Sequence, residues 1–258
     1  MSQTIDVYHP SERRNNLHTL SIDIGGTGLK ASVLDGAGKM LVNRIRVATP
    51  DPCPPDILLH AIVDMTKSLP AFDRISVGFP GVIQNGRVIT APHLGTQWWH
   101  DYPLEKTLSD QFGVPARLLN DAEVQGLGVI ARRGLEVVLT LGTGIGTAVF
   151  TNGRLAPHLE LAHHPIHKSK TYDEYIGDAA LHAVKTKTWN RRLRKVIDIV
   201  HTLLNYDTLY LGGGNSAKID GDLPENVRIS SNNAGLTGGI YLWDAAVWSI
   251  DRGGHAPQ

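Results

Sequence analysis

Residues 21–30 read SIDIGGTGLK, and the fold follows from whether that glycine loop opens a helix or closes a hairpin. The chain runs on through ASVLDGAGKMLVNRIRV: a second apolar run, a D-G turn at Asp35 and Gly36, then a third run. Strand, glycine loop, strand, turn and strand make an antiparallel meander, which places the loop at a hairpin tip. A Walker A loop needs Gly-Lys-Ser/Thr leading into a helix, and a dinucleotide fingerprint needs G-x-G-x-x-G at a strand-to-helix turn. Neither is present.

The pattern returns as EVVLTLGTGIGTAVFTNGRLAP, with a strand over Val137–Leu141, a glycine loop over Gly142–Gly146, a strand over Thr147–Phe150 and an N-G turn at Asn152 and Gly153. Two such hairpins at equivalent places imply duplicated halves that face each other across a cleft. Between them RISVGFPGVI and PARLLNDAEVQGLGVIARR alternate strand-like and helix-like character, which gives an α/β class. Glycine lets successive amides approach an anion with no Cβ in the way, so two facing tips can grip a phosphate chain. Read separately, each is equally an ordinary tight hairpin that uses glycine for positive φ. A third cluster, Gly212 to Gly214 in YLGGGN, closes an apolar strand and reads as a close ligand approach or a tight turn.

A chain of 258 residues exceeds the usual single domain, so two domains are expected. Lys plus Arg and Asp plus Glu both total 25, which leaves no net field to attract nucleic acid or an anionic membrane. The single cysteine, Cys53, lies in the Pro-rich TPDPCPPD, expected to be a surface loop, and fits a reducing compartment. The first residues lack the apolar core of a signal peptide, and no run of 18 apolar residues occurs. A cytoplasmic protein with a polar lead-in over residues 1–18 is expected.

DIGGTG, LLNDAE, LTLGTGIG, ELAHH and LGGGN, in that order and spacing, resemble the ROK family of sugar kinases and sugar-responsive repressors. The resemblance spans about residues 19 to 240 and is strongest to the polyphosphate glucokinase branch, because Lys30 stands where GGTGLK ends. It implies an actin-like ATPase fold of two RNase H-like domains, here 19–119 and 120–258, with the last helix packing back on the first. It also implies phosphoryl transfer to a hexose hydroxyl, glucose O6 above all, with Mg²⁺ and with polyphosphate, ATP or both as donor. A homodimer is implied as well. The repressors carry an additional DNA-binding domain that the short lead-in does not supply, which favours a kinase.

Phosphoryl transfer needs a carboxylate against the attacking hydroxyl and donors aimed at the phosphates. Asp121, at the corner between VPARLLN and AEVQGLGVIA, is where the resemblance puts the catalytic base. Asn120 followed by Glu123 also has the form of a helix N-cap, and both readings can hold together. The resemblance assigns Asn120, Glu160, His163 and Gly81 to the sugar. It assigns Asp23, Gly25, Gly26, Thr27, Gly142, Thr143 and Gly144 to the phosphates, with Asp23 orienting Mg²⁺ through water. Lys30 reaches the donor or lies on the outer face of its strand, and Gly212, Gly213 and Gly214 match an adenosine-side motif.

Departures are visible too. Ala162 replaces a glycine of the sugar motif, which asks whether that backbone needs positive φ. His93 stands where many members carry asparagine, and no cysteine follows Cys53, so a structural zinc of the family type is not expected. His158, His164 and His167 read as a polar surface loop. KTKTWNRRLRK, residues 185–195, reads as a basic helix with Trp189, Leu193, Val196, Val200 and Leu203 as its buried stripe. Its cationic face suits polyphosphate or is simply solvated, and the lack of interleaved aromatics counts against nucleic acid. SNNAGLTGGIYLWDAAVWSI, residues 231–250, reads as a glycine turn and an apolar helix. The competing function is a sugar-binding regulator that kept the cleft and lost catalysis.

Overall fold

A computed structural model describes residues 17–231 and 233–247, and most of the expected lead-in lies outside them. The opening meander forms as read. β1 (Thr19–Ile24) and β2 (Gly28–Leu34) pair antiparallel from Thr19↔Leu34 to Ile24↔Leu29, and β3 (Ile45–Ala48) adds to the outer edge of β2. At the D-G turn Asp35 Oδ1 accepts from the amides of Ala37 and Lys39, and Gly38 takes the positive φ. After helix α1 (Pro55–Thr66), β4 (Arg74–Phe79) joins β1 in parallel. The small hairpin β5 (Ile83–Gln84) and β6 (Arg87–Val88) turns at Asn85 and Gly86, both at positive φ. Helices α2 (Thr96–Trp99) and α3 (Leu104–Phe112) lead to β7 (Ala116–Asn120), parallel to β4. The order is β3-β2-β1-β4-β7.

Helix α4 (Asp121–Leu127) leaves the end of β7 and leads to the second sheet. There β8 (Leu135–Leu141) and β9 (Ile145–Thr151) form the second hairpin, and β10 (Arg154–Leu155) follows through Asn152 and Gly153, at φ 50° and 81°. A minor hairpin, β11 (Pro165–His167) with β12 (Lys170–Thr171), precedes helices α5 (Tyr172–Ile176), α6 (Asp178–Ala183) and α7 (Thr186–Leu204). β13 (Thr208–Gly212) and β14 (Val227–Ile229) then add in parallel, giving β10-β9-β8-β13-β14. Each sheet is thus an antiparallel meander of three strands with two parallel strands on its inner side. The duplication read from two glycine loops extends to the whole topology.

Helix α7 buries Trp189, Leu193, Val196, Ile197 and Val200 against the second sheet. Leu203, expected on that stripe, is 59% exposed, and Ile197 takes its place as the face drifts round the helix. The TPDPCPPD loop also differs from expectation. Cys53 is buried, its carbonyl accepts a bond from Trp99 Nε1 at 2.8 Å, and burial followed by Asp51 pushes its thiol up to about 11.

The C-terminal stretch is a short helix, α8 (Ala234–Thr237), and two 3₁₀ turns over Gly238–Trp243 and Ala245–Val247. Residues 232 and 248–250 of the expected turn and helix lie outside the described residues. Glycine is used here for close approach: a Cβ on Gly239 would strike the side chains of Ser21 and Ser76. Those serines, adjacent across β1 and β4, donate to Leu236 O and Gly239 O, both at 2.7 Å. Buried carbonyls that a regular helix would bond internally are thereby satisfied, which lets the segment lie flat on the first sheet.

Candidate active site

Between the sheets lies a cleft of about 450 Å³, a size suited to a small ligand. Both glycine tips line it. The first tip is closed by Gly25 N donating to Gly28 O at 3.0 Å and braced by Thr49 Oγ1 on Gly25 O at 2.6 Å. The second is closed by Gly142 N donating to Gly144 O at 3.0 Å. Behind the second tip, Asp178 N and Asn215 Nδ2 donate to Gly142 O, and Gly213 at φ 80° packs on Leu141 so closely that a Cβ would lie 2.6 Å from its nitrogen.

Asp23 ends up beside Lys30 because β1 and β2 pair those two residues, and Lys30 Nζ donates to Asp23 Oδ2 at 2.7 Å. Lys30 therefore faces the cleft, which resolves the two readings of its strand position. Among the described residues no group of three His, Cys, Asp or Glu side chains encloses a metal. Mg²⁺ does not require one, since it takes one or two carboxylates with water and phosphate oxygens. Asp23 fits that donor set: Oδ1 is not used by Lys30, and Gly235 leaves open the space a Cβ would fill 3.0 Å from the carboxylate.

Asp121 is the first residue of α4. The cap reading of Asn120 is realised: its Oδ1 accepts from Ala122 N at 2.9 Å and Glu123 Oε2 accepts from Asn120 N at 3.3 Å. Asn120 Nδ2 donates to Gly81 O at 3.1 Å, tying the turn after β4 to this corner. Asp121 Oδ1 accepts from Ala122 N at 2.8 Å. Burial and then the charge of Asp23 raise its pKa, Glu160 adds to this, and the Ala122 bond and Lys30 oppose it, leaving the carboxyl at about 7. A base poised there is partly ionised at neutral pH and shares its proton readily.

Asp23, Gly25, Gly26, Thr27, Lys30, Gly81, Asn120, Asp121, Gly142, Thr143, Gly144, Glu160, His163, Gly213 and Gly214 all line this one cleft. Gly212 does not, because the space of its missing Cβ is filled by Gln125 and Ser230. Ala162 is absent from the residues at positive φ, so the replaced glycine leaves the sugar-motif backbone undistorted.

Asp173, Arg44 and Arg46 line the cleft without having been singled out from the sequence, and His93, noted there only as a departure from the family, proves central. Asp173 accepts from Ile145 N at 2.7 Å at the second tip, and burial raises its pKa. His93 reaches both tips: a Cβ on Gly26 would lie 3.2 Å from its Cβ, and one on Gly144 would lie 2.7 Å from its Nε2. Arg44 and Arg46, in the NRIRV run, line the cleft beside the first tip. An R-x-R alternation at the start of an edge strand carries no signal of its own, and only the tertiary placement of this edge brings both side chains to the cleft. No residue of the basic helix α7 lines it. His158, expected in a surface loop, is instead enclosed between Glu123 and Glu160.

The chain is 29% identical over 220 residues to a polyphosphate glucokinase of Mycobacterium tuberculosis, covering 80% of this chain and 81% of that protein. A polyphosphate glucokinase of Mycobacterium leprae is 29% identical over 242 residues, 88% of this chain and 74% of its relative. Among solved structures, an inorganic polyphosphate/ATP-glucomannokinase from Arthrobacter sp. strain KM superposes with a TM-score of 0.78 at 29% identity, covering 87% of this chain and 97% of that one. A ROK family glucokinase from Streptomyces griseus, in complex with glucose and AMPPNP, shares the fold with a TM-score of 0.72 at 18% identity, covering 87% and 98%. The fold is the actin-like ATPase fold. The ROK family model matches residues 19–163, more than half of the chain, and the protein belongs to the ROK family.

Proposed function

We propose that the protein is a hexokinase-type phosphotransferase that transfers a phosphoryl group from polyphosphate, ATP or both to the 6-hydroxyl of glucose. One observation carries this reading: two amide-rich tips from different sheets line one cleft together with a carboxylate, Asp121, that makes no ion pair among the described residues. The relatives named polyphosphate glucokinase and polyphosphate/ATP-glucomannokinase support the acceptor and the donor class.

Glu160, His163 and the Asn120 corner with Gly81 hold the sugar, and Asp121 Oδ takes the proton of its hydroxyl as the bond to phosphorus forms. The free amides of Gly26, Thr27, Thr143 and Gly144 bind the phosphates from opposite sides. Asp23 is the residue that would hold Mg²⁺, which when bound neutralises charge on the transferring phosphoryl group. Lys30 holds Asp23 in place through its 2.7 Å bond to Oδ2. Burial at the cleft floor excludes water that would otherwise accept the phosphoryl group.

Arg44 and Arg46 continue the first tip outward and suit an extended polyanion, while Gly213, Gly214 and Asn215 offer close backbone approach on the opposite side, suited to a nucleoside. The two sheets, dividing near Asn120, act as lobes around the substrates, and the assembly is a homodimer.

A coupled assay for hexose 6-phosphate with glucose and each donor tests the reading. Asp121→Ala is expected to abolish turnover while calorimetry still detects glucose binding. Turnover retained in that variant would sink the assignment.

A further inference from the structure

The imidazole of His158 stands between two carboxylates that belong to different parts of the site. Nδ1 is 3.2 Å from Glu123 Oε1 and Nε2 is 3.5 Å from Glu160 Oε2, with the His158 side chain 15% exposed and that of Glu123 only 3%. Each carboxylate uses its second oxygen on backbone. Glu123 Oε2 accepts from Asn120 N at 3.3 Å, and Glu160 Oε1 accepts from Ala162 N at 3.2 Å. One hydrogen-bonded chain therefore runs from the N-cap of the helix that begins with Asp121, through His158, to the loop that presents Glu160 and His163.

The protonation of the link follows from counting donors. A neutral imidazole has one N–H and can donate to one carboxylate, leaving the other facing a lone pair, whereas an imidazolium donates to both. Burial by itself would lower the pKa of His158, but the bonds and charges of Glu123 and Glu160 outweigh it and raise the ring to about 9. The charged groups facing the ring are Glu123 from α4 and Glu160 from its own loop. His163 acts on Glu160 from further into the cleft, and Glu160 in turn acts on Asp121. Burial would raise the carboxyl of Glu160, and the bond and charge of His158, with the Ala162 amide and His163, together overcome that and hold it below the usual range.

We infer that His158 is a positioning residue: as an imidazolium it clamps Glu160 to the helix cap that carries Asp121, so that the acceptor sugar and the base keep one relative placement. Without it Glu160 Oε2 loses the contact that ties it to the cap, and the carboxylate is released to turn away from the sugar. The inference rests on the sugar-kinase reading for its kinetic meaning, but the clamp itself is a property of the free protein.

The test compares wild type, His158→Ala and His158→Gln by steady-state kinetics and glucose calorimetry, with ¹⁵N imidazole NMR on the full-length protein. His158→Ala should raise the glucose KM and Kd about tenfold, the cost of losing a charge-assisted bond to a sugar ligand. Its kcat should fall by less than about threefold and its donor KM should not move, a split that general loss of folded protein would not produce. In wild type the glucose KM should rise above about pH 9, while His158→Gln, whose amide serves one carboxylate at any pH, should give an intermediate KM with no such rise. NMR should show both ring nitrogens protonated at pH 8. An unchanged glucose KM and Kd in His158→Ala, or a neutral His158 ring at pH 8, would overturn the inference. If His158→Ala does not fold, the His158→Gln profile and the NMR decide it. A wild-type protein with no turnover on any sugar would instead sink the kinase reading, and the NMR would still decide the clamp.

Discussion

The two glycine hairpins share a sequence pattern and a strand topology, but they enter the cleft with opposite electrostatics. The first brings cations. Its own sheet pairs Lys30 with Asp23 and adds Arg46 packed over Gly28. The second brings a rigid backing and an acid. Gly142 O is held by Asp178 N and Asn215, Leu141 is covered by Gly213, and Asp173 occupies the amide of Ile145. Duplication supplied two equivalent turns, and their neighbours made one a charge-attracting surface and the other a fixed stop. On this view the first tip holds the body of the donor and the second fixes the position of its terminal phosphate. His93, in contact distance of both, is where the two meet.

The largest expected effect lies between the tips, at Asp121, whose pKa responds to Asp23 and Lys30 of the first hairpin. Asp121→Asn should lower kcat by about 10³-fold or more, as expected for loss of a general base, without a matching loss of glucose affinity. In wild type, kcat/KM should fall about tenfold per pH unit below about 7, because the base must be ionised. The same residue sets a stability trend of opposite sign. Its folded pKa of about 7 lies above the ordinary 3.8, so the stability it contributes is complete below about 3.8 and is lost as pH rises through 7. Asp121→Asn should therefore melt higher than wild type at pH 8 and together with it at pH 3.

Next in size is the backing of the second tip. Gly213 combines φ 80° with close contact to the Leu141 backbone, whereas the first tip is braced by a side chain, Thr49 Oγ1 on Gly25 O. Gly213→Ala should cost about 2–4 kcal/mol in urea unfolding, through backbone strain and displacement of β8. A loss below 1 kcal/mol would show that the backing is soft and the asymmetry between the tips smaller than described.

A smaller effect tests the cationic side. Arg46→Ala should raise the KM for polyphosphate about tenfold and flatten its dependence on salt, while changing the glucose KM little. The corresponding change on the basic face of α7, Arg191→Ala, should leave donor KM near wild type, since that helix does not line the cleft. The reverse ranking would move the donor path off the first hairpin.

The smallest effect concerns the acid of the second tip. Asp173→Asn keeps an oxygen for Ile145 N and removes a negative charge beside the phosphate site, so donor KM should fall about threefold. A rise in donor KM would mean that the carboxylate orients His93 or His163 rather than repelling the donor.

Much of this was legible because it is local. The hairpin registers, the positive-φ turn at Asn152 and Gly153, and the capped corner at Asn120 and Glu123 each depend on residues a few positions apart. Short-range sterics and hydrogen bonding decide such features before any tertiary contact forms. Apart from Leu203 on its helix, the misreadings are long-range. Cys53 is buried because Trp99 packs on its loop, and His158 is enclosed because Glu123, 35 residues earlier, points at it. The C-terminal glycines look like turn formers in the chain and are instead points of close approach to Ser21 and Ser76.

The sequence by itself determined two β-meanders with glycine tips, a capped carboxylate corner and membership of a recognisable family, since periodicity, turn chemistry and capping are written in neighbouring residues. Only the tertiary structure decided which tip carries the cations, which histidine stands between two carboxylates, and that burial lifts Asp121 to about 7. Charge, burial and proton affinity depend on what comes within a few ångströms in space, and two chains with the same local pattern can place quite different groups there.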